Sequence, residues 1–144
     1  MTESKERRFQ IRLYNVHETG GETDTDDVLL FGHLGYHAGR YIIEYDDEDG
    51  ILAGCKTRVH VTEPDRVTIC RTGSMNTEMT MEEGVRHLCH YNTPYGTVMM
   101  GIYASKVHSD MSAFGGTLSL TYTLDFNGEL VSTNQLRITV KEIF

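Results

Sequence analysis

From Leu118 to Val140 nearly every second residue is apolar, and this period of two constrains the fold more than any other feature of the chain. Leu118, Leu120, Tyr122, Leu124 and Phe126 alternate with Ser119, Thr121, Thr123 and Asp125. After Asn127-Gly128 the return carries Leu136, Ile138 and Val140, with Ser132 and Asn134 in the same phase. Successive side chains of a strand point to opposite faces, so such a segment buries one face and wets the other. An Asn-Gly pair between two alternating runs predicts a type I′ turn, in which both central residues take positive φ.

The alternation runs back to the start of the chain. Phe9, Ile11 and Leu13 share a face, as do Val28, Leu30 and Leu34, then Tyr41, Ile43 and Tyr45. Thr57, Val59 and Val61 follow, then Val67, Ile69 and Arg71, then Met75, Thr77, Met79 and Met81. Two further runs centre on Cys89 and Met100. Residues 17–27 are rich in Gly and Thr and show no clear register. No segment sustains a 3.6-residue period, and residues 107–114 are expected to form one short helical turn. The expected class is therefore all-β, with eight to ten strands. Closure into a small antiparallel up-and-down barrel would remove the two exposed edges of such a meander; a sandwich is the alternative. With 144 residues the chain fits one domain over residues 9–144, preceded by a charged, flexible tail at 1–8.

Charge narrows the partners. Asp and Glu number 21 against 13 Lys and Arg, a net charge of -8, which opposes binding to nucleic acid or to an anionic membrane surface. The first residues carry no apolar export segment, so a cytoplasmic location is expected. Cys55, Cys70 and Cys89 lack metal-site spacing and are expected to be reduced, buried thiols.

One group of residues is distinctive as a set. Arg71-Thr72-Gly73, Met79 and Tyr91-Asn92-Thr93-Pro94-Tyr95-Gly96 are followed by Gly116 with alternating Leu118, Leu120, Tyr122 and Leu124, then by Gly128 and the run from Ser132 to Glu142. In this order the chain resembles the YwiB-like family of small uncharacterised bacterial proteins, from about Phe9 to Glu142. The resemblance implies a calycin-type barrel, similar to lipocalins and fatty-acid-binding proteins. It implies no activity.

Arg71 is the residue that most invites a function. It is in phase with Val67 and Ile69, so it is expected to point into the barrel, where an unpaired guanidinium costs several kcal/mol. Tyr45, Tyr91, Tyr122, Ser132 and Asn134 share the inward phase, and Met79 lies on an inferred methionine face with Met75, Met81 and Met100. These residues form the candidate ligand site for a small apolar or amphipathic anion. The alternative is a structural arginine that closes one end of a filled barrel through Tyr and Asn hydrogen bonds, with the protein acting as an interaction or assembly module. Methionines likewise fill cores as readily as they line adaptable sites.

Catalytic and metal signatures are weak. The seven histidines show no zinc spacing. The run 46–50 is acidic but lacks the length and terminal Glu of an EF-hand loop, so it is expected to be a solvated hairpin turn. Gly20-Gly21 and Gly115-Gly116 lack the context of a phosphate loop, and no nucleophile elbow occurs. No cofactor, metal or enzymatic activity is expected.

Overall fold

The computed structural model describes residues 8–47, 54–63, 65–73, 76–93 and 95–143. They form ten strands: β1 (Arg8–Thr19), β2 (Glu22–His37), β3 (Arg40–Asp46), β4 (Lys56–Glu63), β5 (Arg66–Thr72), β6 (Thr77–Glu82), β7 (Arg86–Thr93), β8 (Gly96–Ser112), β9 (Gly115–Phe126) and β10 (Glu129–Ile143). All are antiparallel, in the order β6-β5-β4-β3-β2-β1-β10-β9-β8-β7. Every strand neighbours its sequence neighbour except across the seam between β6 and β7, so the sheet curls into a nearly closed barrel. Residues 1–7 and the acidic turn from Glu48 onward lie outside the described residues. Arg8, expected in the tail, is the first residue of β1 and pairs with Ile143.

The seam is clasped at one end by the β6–β7 turn. The Gly84 amide donates to the Ala104 carbonyl at 2.8 Å, and the Glu83 amide to the Asp65 carbonyl at 3.0 Å. The Glu83 carboxylate accepts the Val107 amide at 2.9 Å. These bonds tie the turn to the β4–β5 connection at Asp65 and to the edge of β8 beyond Tyr103, which β7 does not cover.

Inward residues fill the middle of the barrel. Phe9, Ile11, Ile43, Val59, Val67, Met81, Ile102, Leu118 and Ile138 are fully or almost fully buried. Gly32 is required where the wall bends inward: a Cβ there would lie 2.2 Å from the Glu44 carbonyl oxygen and 2.7 Å from Ile11 Cδ1. The last hairpin turns as its sequence demands, with φ of 53° at Asn127 and 87° at Gly128.

One expectation fails, and one open register is settled. Residues 107–112 continue β8, and only Ala113 and Phe114 turn, so there is no helical turn. A bulge between Ala104 and Lys106 shifts the inward phase from Ala104 to Val107, and that break in period two is what mimicked a helix. Residues 17–27, whose register the sequence left open, form a regular hairpin: β1 and β2 pair continuously to Thr19 opposite Glu22 around Gly20-Gly21. This arm reaches past β3, which pairs β2 only from Gly32 to His37.

Candidate functional site

In an up-and-down barrel each odd-to-even connection lies at the same end. Arg71 is the penultimate residue of β5 and Thr77 the first of β6, so both stand at that end, here called the mouth. Tyr45 near the end of β3 and Thr57 near the start of β4 join them. Register places the four in one row across the sheet: Tyr45 opposite Thr57, Thr57 opposite Arg71, Arg71 opposite Thr77. All are in the inward phase. Thr57 and Thr77 are buried, Tyr45 is 6% exposed, and Arg71 is half-buried.

The row is polar and incompletely satisfied. Thr57 donates to Asp47 Oδ2 at 2.6 Å and also hydrogen-bonds the Tyr45 hydroxyl. Burial pushes the Tyr45 phenol up to about 12, while the neighbouring Arg71 charge pulls it down and Asp47 pushes it up again. Asp47 is engaged by Thr57 and, among the described residues, makes no ion pair with Arg71. Arg71 Nε and Thr77 Oγ1 are buried without any hydrogen-bond partner. Buried polar groups in native proteins are almost always bonded, so two orphans side by side in one row are unusual.

A second polar group lines β10 and β1 at the same end. Asn134 Nδ2 donates to Ser132 Oγ at 3.0 Å, which leaves Asn134 Oδ1 as acceptor. His17 Nδ1 lies 2.5 Å from that oxygen and therefore carries the proton. On the other side of the ring, Thr19 Oγ1 lies 2.8 Å from His17 Nε2. Ser132 and Asn134 are buried. Tyr122 stands opposite Asn134 in register and is close enough to Tyr45 to influence it electrostatically, so it connects the two groups. Asn15 Oδ1, further along β1, is another buried orphan.

The structure thus brings together Arg71, Tyr45 and Tyr122, with Ser132 and Asn134 beyond. It separates Met79, which is 7% exposed, faces Ile69 and belongs to the apolar core. Met81 is likewise core. Met75 and the side chain of Tyr91 lie outside the described residues. Thr57, Thr77 and His17 were not singled out from the sequence; their inward phase was the available signal, but threonine is an ordinary strand residue. Of the cysteines, Cys55 and Cys89 are buried, whereas Cys70 is only half-buried; none of the three is in a disulfide. Burial raises the thiol pKa of Cys70 and Cys89, which disfavours the reactive thiolate.

Comparison with known proteins places this geometry in a family. A solved structure with a similar fold is the ywiB protein from Bacillus subtilis, with a TM-score of 0.85, 17% identity, and coverage of 96% of this chain and 93% of that one. At that identity the likeness concerns the fold alone. No match was found among curated proteins. The family described as "Domain of unknown function (DUF1934)" matches residues 11–138. The chain belongs to the DUF1934 family.

Proposed function

We propose that this domain binds a small amphipathic anion at the mouth of its barrel, with Arg71 as the charged anchor. One observation carries the reading: a guanidinium turned inward whose buried Nε has no partner, beside the equally unpartnered Thr77 hydroxyl. A carboxylate or phosphate satisfies both at once, since guanidinium donors bind such oxygens in charge-assisted pairs. The ligand's apolar part meets the half-buried leucines Leu13, Leu124 and Leu136, because Met79 and Met81 are committed to the core. The ligand is therefore short: the barrel centre is filled by side chains and does not take a long acyl tail. In this reading the domain is a cytoplasmic binding module and not an enzyme, consistent with thiols held protonated.

A thermal-shift screen of short-chain fatty acids, aromatic acids and phosphorylated small molecules tests this. A ligand at about 100 times its dissociation constant stabilises the fold by roughly 2.7 kcal/mol. The stabilisation is expected in the wild type and lost in Arg71→Met. If no anion raises the melting temperature, or if the effect survives Arg71→Met, the reading fails.

A second reading, an interaction module, has its own observation. Along Glu22 to Phe31 the β2 strand pairs β1 on one side and, among the described residues, no strand on the other, while Leu29 and Phe31 are more than half exposed. An unpaired edge with outward apolar residues suits strand addition by a partner.

A further inference from the structure

On the outside of the barrel, strands β8, β9, β10 and β1 run side by side and form a groove of roughly 280 Å³. Two outward rows cross it. Lys106 faces Thr121 and Thr121 faces Gln135; Ser119 faces Arg137 and Arg137 faces Tyr14. The bulge between Ala104 and Lys106 sits at its edge, where the extra residue sharpens the local twist.

The lining is chemically one-sided. All six of these side chains carry hydrogen-bond donors and none is a carboxylate, in a chain with 21 acidic residues and 13 basic ones. Elsewhere on the outer surface Arg12, Lys56, Arg58 and Arg86 are each paired with an acid. Lys106 and Arg137 make no ion pair among the described residues. Two free cations thus flank the β9 hydroxyls Ser119 and Thr121, with the Tyr14 ring, 39% exposed, at one side.

We propose that this groove is a second anion site, specific for the phosphate group of a small organic phosphate. The Arg137 guanidinium presents two parallel N–H donors to phosphate oxygens, Lys106 neutralises the remaining charge from the other side of β9, and the hydroxyls complete the donor set. Tyr14 offers an apolar ring to the organic part. The volume suits a compact ligand, just below the usual range of small-molecule sites. A long polyanion is disfavoured by the -8 charge of the surrounding chain.

Calorimetric titration at low salt with inorganic phosphate and with phenyl phosphate tests the assignment. Both probes are expected to bind, phenyl phosphate tighter than inorganic phosphate because of Tyr14. Arg137→Gln is expected to weaken binding about tenfold or more, and Arg137→Lys to restore only part of it, because the charge returns without the fork. Lys106→Gln weakens it less; the variants are compared in the Arg71→Met background, so that the mouth contributes no binding of its own. Failure of both probes to bind, or binding that persists in the double variant Lys106→Gln, Arg137→Gln, overturns the proposal. Binding that disappears in Arg71→Met instead overturns it in favour of the mouth, so the two sites are tested separately.

Discussion

Arg86 on β7 reaches across β8 to Asp125 on β9, and its guanidinium lies directly over Gly101. The pair is bidentate, with Nη2 to Oδ1 at 2.6 Å and Nε to Oδ2 at 3.0 Å. A Cβ on Gly101 would lie 2.3 Å from the Arg86 guanidinium, so glycine is what lets the side chain pass. The obstructing atoms are the far end of a flexible side chain and can swing into solvent. Gly101→Ala is therefore expected to keep the fold but lose the ion pair, seen as a lower melting temperature whose difference from wild type shrinks in high salt. A variant as stable as wild type at all salt concentrations would show that the pair contributes nothing.

The same pair sets a pH dependence. Its hydrogen bond from Arg86 holds the Asp125 carboxyl below the usual aspartate range, partly opposed by desolvation. A depressed folded-state pKa adds stability at pH values above the unfolded value, and that stability is lost as pH falls through the lower folded value. Arg86→Met should thus be less stable than wild type at neutral pH, and the two should converge below the ordinary aspartate pKa of about 3.9. Parallel curves down to strongly acidic pH would contradict this.

Glu83 closes the barrel seam by accepting the Val107 amide. Glu83→Ala removes the acceptor and leaves that part-buried N–H unsatisfied, a loss of about 1–3 kcal/mol. Denaturant melting reads the cost, and hydrogen exchange at the Val107 amide should accelerate more than at Leu118 or Ile138. Uniform acceleration would mean that Glu83 does not act locally.

Asp47 and Arg71 both act electrostatically on Tyr45, so the Asp47 charge opposes an anion bound in this row. Asp47→Asn keeps an oxygen to accept the Thr57 hydroxyl while removing the charge. Anion affinity at the mouth should rise a few-fold in this variant. A fall in affinity would mean that Asp47 orients Arg71 and does not merely repel the ligand.

Much of this architecture was legible because alternation encodes which face a residue occupies. The ten strands, the turn at Asn127-Gly128 and the inward phase of Arg71 all follow from period two. Depth along the barrel axis is not encoded by alternation, so Met79 and Arg71 looked equivalent although one belongs to the core and the other to the mouth. The β1–β2 arm escaped detection because both of its faces are largely exposed, which removes the apolar signal. The bulge before Lys106 hid six residues of β8 by shifting the phase from Ala104 to Val107. The outer groove was illegible because its rows depend on the bulge that sets Lys106 opposite Thr121 and on the β1–β10 pairing that brings Tyr14 beside Arg137.

The most direct test of the central claim is the denaturant midpoint of Arg71→Met with no ligand present. A structural arginine that closes the barrel would lose charge-assisted hydrogen bonds, at about 1.5–3 kcal/mol each. An anchor waiting for an anion has none to lose, and its replacement by an apolar side chain relieves a buried unpaired donor. The variant is therefore predicted to be as stable as the wild type or more so. A variant destabilised by about 2 kcal/mol or more would contradict the account and make Arg71 part of the scaffold.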